Sequence, residues 1–154
     1  MTAATPLTLG QILDEAAEHH PLAAAVIAGG QRVRYRELRE RAELFARGLL
    51  AVGLGPGDHV VVWMPNCIEW NIVNFALAKI GAVTVTCNSR YRALEVEYVL
   101  RQSDARALVM MDRFAPGGVN YNELVREVVP DRRARSRLPR LGRRRAARLA
   151  RGVR

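Results

Sequence analysis

Along the first 111 residues, runs of apolar positions spaced for helices alternate with short continuous apolar runs, each bounded by Gly, Pro, Asn or Asp. Thr8 precedes an apolar series at Leu9, Ile12, Leu13, Ala16 and Ala17, with Gln11 at capping-box spacing. That predicts a helix which Pro21 stops after His20. Ala24 to Ala28 reads as a strand, Gly29-Gly30 as a two-residue turn, and Arg32 to Tyr35 as the returning strand of a hairpin. A second helix is predicted from about Arg36 to Val52, because Leu38, Ala42, Phe45, Leu49 and Val52 recur at steps of four and three. Gly53 follows it where a left-handed residue is needed.

Gly55-Pro56-Gly57-Asp58 forms a tight turn signal, and His59 to Trp63 is a continuous apolar strand of the kind buried on both faces. Pro65 ends that strand. Asn66, with Glu69 three residues on, predicts the start of a third helix that Gly81 stops after Ile80. A strand over Ala82–Cys87, a helix over Arg92–Ser103, a strand over Ala107–Met111 and an amphipathic segment over Tyr121–Val129 complete the pattern. Strands separated by helices of this length call for parallel pairing through crossovers. The expected class is α/β, part of a doubly wound parallel sheet with flanking helices, opened by a short β-hairpin.

Composition changes this picture at one place. The chain has 154 residues and a formal charge of +9, yet 11 arginines and no acid fall within residues 132–154, leaving residues 1–131 at −2. The expected organisation is therefore an α/β portion over 1–131 and an Arg-rich tail over 132–154, disordered or frame-shifted. Two readings of the tail stay open. Shifted codons of a GC-rich gene would yield such arginine, alanine, glycine and proline, and the bias of 23 arginines to one lysine fits that origin. A functional cationic arm would instead bind nucleic acid or another anionic surface, with affinity falling as salt rises. No apolar run approaches the roughly 18 residues that span a bilayer, and the N-terminus lacks the basic and apolar regions of a signal peptide. Cys67 and Cys87 form neither a disulfide framework nor a zinc spacing, so a cytoplasmic setting is expected.

Candidate chemistry is sparse. Gly53, Gly55 and Gly57 follow a helix and precede a strand, the reverse of the order that aims helix amides at a phosphate, so they read as cap and turn. No glycine-rich loop ending in lysine and serine or threonine occurs, and Lys79 lies within a helix. His19 and His20 are adjacent and point about 100° apart on a helix, too divergent to share a metal. His59 opens a strand without an evident partner. Ser89, Ser103 and Ser136 lack nucleophile-elbow surroundings, and nothing marks Cys67 as a thiolate. Asp14, Glu15, Glu37, Glu40, Glu43, Glu95 and Glu97 read as solvated helix-face charges, several near arginines at spacings of three or four. No catalytic, cofactor-binding or metal-binding residue is assigned.

Read together, the segments resemble a known family. Tyr35-Arg-Glu-Leu38, Gly55-Pro-Gly-Asp58 running into Val60-Val-Val-Trp-Met-Pro-Asn66, Glu69-Trp70 and Ala78-Lys-Ile-Gly-Ala-Val83 are similar to the opening of adenylate-forming enzymes. Asn88-Ser-Arg-Tyr91, Leu94 to Leu100, Ser103 to Val109, the Asp112-Arg-Phe114 step and Tyr121 to Pro130 continue the match, which looks most like the AMP-forming acyl-CoA synthetases, or fatty-acid–CoA ligases. The resemblance covers about Leu7 to Asp131. It implies a two-step reaction, in which a carboxylate attacks ATP to give an acyl-adenylate and pyrophosphate, and coenzyme A then displaces AMP. It also implies ATP, magnesium and coenzyme A as ligands of a complete enzyme. The phosphate-gripping loop, the adenine and ribose motifs and the lysine of a mobile C-terminal domain all lie downstream of the matched stretch in that family. The expectation is thus an N-terminal fragment, inactive by itself, with a separately encoded remainder as a candidate partner. A small basic protein binding nucleic acid through its tail is the alternative.

Overall fold

The structure is a computed structural model and describes residues 7–112 and 120–128. The Asp112-Arg-Phe114 step beyond Asp112, Val129, Pro130, Ser136 and the Arg-rich tail lie outside the described residues. Element order is α1 (Leu9–His19), β1 (Ala24–Ala28), β2 (Gln31–Arg34), α2 (Tyr35–Ala51), β3 (His59–Trp63), α3 (Ile68–Lys79), β4 (Val83–Cys87), α4 (Ala93–Gln102), β5 (Ala107–Met110) and α5 (Tyr121–Val128). The α/β class with an N-terminal hairpin is as expected.

β3 is the centre of a three-stranded parallel sheet ordered β4-β3-β5. Its pairing runs from His59 opposite Val83 to Trp63 opposite Cys87 on one side, and from Val60 opposite Ala107 to Trp63 opposite Met110 on the other. Val60, Val61, Val62 and Trp63 are fully buried, as a strand covered on both faces must be. On one face Val60 and Val62 pack with Ala46 and Leu49 of α2 and Val73, Ala76 and Leu77 of α3. On the other, Val61 and Trp63 pack with Val96 of α4 and Tyr121 and Val128 of α5. Helices on both faces make this a doubly wound arrangement.

A third cluster ties on the N-terminal elements: Leu13 of α1, Val33 of β2, Leu38 and Ala42 of α2, and Ile68 and Ile72 of α3. Gly29 and Gly30 both take positive φ, 56° and 76°, as the tight hairpin turn requires. Ala24 pairs with Arg34 and Val26 with Val33, so one bulged residue lies between them.

Three local expectations need correction. The apolar stripe read on α1 is displaced, because Gly10, Leu13 and Ala17 are buried while Leu9 and Ile12 stay exposed. The cause is close approach: a Cβ on Gly10 would lie 3.3 Å from Lys79 Cγ, so α1 seats its smallest residue against α3. On α2, Ala46 is buried and Phe45 and Val52 only partly so. The third helix is capped at Cys67, not Asn66. Asn66 is exposed in the bend after Pro65, and the Cys67 side chain makes no capping hydrogen bond. By contrast, the Thr8–Gln11 capping box of α1 is fully formed, with Thr8 N donating to Gln11 Oε1 at 2.8 Å.

Gly81 is the tightest point between turn and sheet. Its φ is +71°, an added Cβ would lie 3.3 Å from Pro56 Cβ, and its carbonyl accepts from Gly57 N at 2.9 Å. Gly55, in the same turn, has negative φ and no atom within 4 Å of an added Cβ. Gly81→Ala is expected to destabilise by about 1–3 kcal/mol, from left-handed strain plus crowding of Pro56, and Gly55→Ala by no more than roughly 0.5 kcal/mol. Urea denaturation of the two variants beside the parent checks the contrast.

Candidate functional site

In open α/β sheets ligands bind beyond the carboxyl ends of the strands, where neighbouring strands send their connections to opposite faces. Here β3 leads into α3 on one face, and its neighbour β4 leads into α4 on the other. The crevice position therefore lies between Trp63-Met64-Pro65 and Cys87-Asn88-Ser89.

That end of the sheet is held by hydrogen bonds from aromatic side chains to loop carbonyls. Trp63 Nε1 donates to Asn88 O at 3.1 Å, and Tyr121 OH donates to Ser89 O at 3.3 Å. The two rings meet edge to face, with centroids 4.6 Å apart. Asn88 folds the loop on itself: its Oδ1 accepts from Arg90 N at 3.0 Å and its carbonyl accepts from Tyr91 N at 3.0 Å. Glu95 accepts from Arg92 N at 2.9 Å and so starts α4. Arg90 and Arg92 are exposed on this loop.

Burial keeps the two thiols and the phenol at this end in their neutral forms. Burial pushes the Cys87 thiol up to about 11. Burial also raises the Cys67 thiol, outweighing the Glu69 and Trp70 backbone amides that face its sulfur. The Tyr121 phenol is raised too, again mainly by burial. A thiol at this end is a poor nucleophile at neutral pH. Among the described residues no group of three or more His, Cys, Asp or Glu converges.

The ionic contacts between elements cluster at the opposite, amino end of the sheet. Arg106 Nη1 donates to both carboxylate oxygens of Asp58, at 2.8 and 2.7 Å, and Gly55 N donates to Asp58 Oδ2 at 2.8 Å. The Arg106 guanidinium, then the Gly55 amide, hold the Asp58 carboxyl below its usual range. Lys79, at the end of α3 and mostly buried, pairs with Asp14 of α1 and, at 3.6 Å, with Glu43 of α2. His59 does have a partner: its Nδ1 lies 2.6 Å from Ser103 O, and since a carbonyl only accepts, Nδ1 carries the proton.

Asp14 and Glu43 stay partly exposed on their helix faces yet also reach Lys79 across helices, Glu43 pairing with Arg39 of its own helix as well, and Glu95 is a cap. Glu37 and Glu97 do pair along their own helices, with Arg41 and Arg101. His19 Nδ1 donates locally, to Glu15 O at 2.9 Å, and both His19 and His20 are exposed. The sequence carried no signal for the Trp63–Tyr121 contact or for the Asp58–Arg106 pair, which join residues 58 and 48 positions apart. Asp58 alone was legible, as the residue closing the Gly55 turn.

Comparison with known proteins adds the context. Residues 13–148 match the family described as AMP-binding enzyme. A Bacillus subtilis protein named as an acyl-CoA synthetase, YngI, is 40% identical over 126 residues, covering 80% of this chain and 23% of YngI. The crystal structure of a protein named as a long-chain-fatty-acid CoA ligase from Rhodopseudomonas palustris superposes with a TM-score of 0.71 at 30% identity, covering 83% of this chain and 31% of that one. The N-terminal domain of FACL13 from Mycobacterium tuberculosis superposes with a TM-score of 0.65 at 30% identity, over 68% of this chain and 27% of the domain. The chain spans about a quarter of the curated relatives it matches.

Asp58 has a folded-state pKa below its unfolded one, so its bonds add stability above the unfolded value that is lost as pH falls through the folded value. The stability difference between parent and Asp58→Asn is therefore expected to be greatest at neutral pH and to shrink once pH drops below the ordinary carboxylate range. Urea denaturation at a series of pH values measures it. Cys87 should react with a disulfide reagent at pH 8 at least about tenfold more slowly in the folded chain than in 6 M guanidinium; equal rates would contradict its buried, protonated state.

Proposed function

Since the chain belongs to the AMP-binding enzyme family, we propose that it supplies the scaffold of an AMP-forming acyl-CoA synthetase and does not perform the ligation by itself. The substrate class is a fatty acid or related carboxylate, joined to coenzyme A at the expense of ATP. The observation that carries the reading is the combination of two facts. The match to YngI runs over 126 residues, and the buried groups at the carboxyl end of the sheet are thiols and a phenol kept neutral by burial, beside loop carbonyls already in use and two exposed arginines, Arg90 and Arg92.

Adenylation needs donors aimed at phosphate oxygens, and the acyl transfer that follows needs stabilisation of charge that develops in the transition state. Trp63 and Tyr121 spend their N–H and O–H on the carbonyls of Asn88 and Ser89. Lys79 is engaged by Asp14 and Glu43 at the far end of the sheet. In this reading Trp63 and Tyr121 brace the floor of a nucleotide crevice. The groups that grip ATP, magnesium and coenzyme A come from polypeptide corresponding to the rest of the relatives, whether joined to this chain or separately encoded.

Purified chain is expected to catalyse no fatty-acid-dependent exchange of pyrophosphate into ATP above a no-protein control, across acyl chains from acetate to palmitate. Robust exchange that scales with protein concentration would overturn the proposal.

A further inference from the structure

The β1–β2 hairpin turns one face inward and leaves the other open. Val33 is buried in the N-terminal cluster, where Val26 also packs. On the opposite face Ile27 stands across from Arg32, and Ala24 across from Arg34. Opposed residues of an antiparallel pair project to the same side, so Ile27, Arg32 and Arg34 share this outer face. Ile27 is 64% exposed, and Leu22, in the turn that leads into β1, is 61% exposed. Arg36, at the start of α2, is joined to that turn by its backbone N–H, which donates to Pro21 O at 3.2 Å.

The face is cationic without compensation. No aspartate or glutamate occurs between Glu18 and Glu37. Arg32, Arg34 and Arg36 are all exposed, and among the described residues none of them enters an ion pair. Glu37, the next acid along the chain, is engaged by Arg41. Aliphatic tips gain by leaving water for an acyl region. Arginine forks match phosphate oxygens, and their stems can lie along apolar surface. We infer that this face of the hairpin is a contact site for an anionic lipid surface. Leu22 and Ile27 enter the acyl boundary, and Arg32, Arg34 and Arg36 pair with headgroup phosphates. No described helix is long and apolar enough to cross a membrane, so the contact is peripheral. Charge argues against a second copy as occupant, because the two rows of arginine would face each other. Charge also decides between patches. Leu94 and Tyr98 on α4 are 81% and 65% exposed, but Arg92 and Arg101 are balanced there by Glu95 and Glu97 and select no partner. The contact is independent of whether the chain forms part of a synthetase.

The test is co-sedimentation of the full chain with vesicles of phosphatidylcholine mixed with phosphatidylglycerol, beside vesicles of phosphatidylcholine alone. Residues 132–154 carry arginines of their own, so the hairpin is varied and the tail left intact. One arginine near an anionic surface is worth roughly fivefold in partitioning. Arg32→Gln, Arg34→Gln and Arg36→Gln combined are therefore expected to lower binding to the mixed vesicles by about 100-fold, and Ile27→Ser with Leu22→Ser by about tenfold. Arg47→Gln removes an exposed arginine about 16 Å further along α2, and is expected to lose no more than about twofold, since screening isolates it from the hairpin. All these positions are exposed, so urea midpoints are expected to match the parent. Equal partitioning of the hairpin variants and the parent would leave any binding to the tail and overturn the inference. Loss from the arginine substitutions with none from Ile27→Ser and Leu22→Ser would overturn it too, as the behaviour of a nucleic-acid site. No binding, or equal binding to both vesicle types, would be equally decisive against it.

Discussion

The complete desolvation of β3 is the constraint on which the rest of the structure depends. Four consecutive residues, Val60 to Trp63, have essentially no exposed surface. Every backbone amide and carbonyl of that segment must find a protein partner, because an unpaired buried polar group costs as much as a lost hydrogen bond or more. β4 and β5 supply those partners on the two sides, and helices must then cover both faces of the strand. Order along the chain follows from this need. The turn at Gly55–Asp58 aims β3, and α3 and α4 return the chain on opposite faces to place β4 and β5 in register.

The two ends of this sheet are built differently. At the amino end, charges cross-link elements distant in sequence: Asp58 to Arg106, and Lys79 to carboxylates on two other helices. Those contacts are partly solvated and fix geometry more than they add stability. At the carboxyl end the fixing is done by neutral donors, an indole and a phenol, which hold the loop after β4 by its carbonyls. The charge there is carried instead by the exposed Arg90 and Arg92 of the loop after β4.

The hydrophobic period of the sequence was a good guide to elements and a weaker one to faces. Strands with continuous apolar runs, such as His59–Trp63, declare their double burial because no solvated side exists to be marked by polar residues. Helix α1 misleads for the opposite reason. Two of its three large apolar positions, Leu9 and Ile12, are exposed, since the contact that orients it is the approach of Gly10 to Lys79, and glycine carries no hydrophobic signal. Charged residues were equally ambiguous. A carboxylate at i, i+4 from an arginine and one reaching a lysine on another helix look alike in one dimension, which is why the partner of Glu37 was legible and that of Asp14 was not.

By itself the sequence determined the α/β alternation, the glycine-bounded turns, the family resemblance and the lack of an assignable nucleophile or phosphate loop, because each rests on residues close together along the chain. Tertiary structure alone decided which strand is central, which face of α1 is buried, who holds His59, Asp58 and Lys79, and that Trp63 and Tyr121 join to brace the loop after β4. Those are contacts between residues tens of positions apart. They exist only once burial of β3 has drawn the segments together, and no local pattern of polarity encodes them.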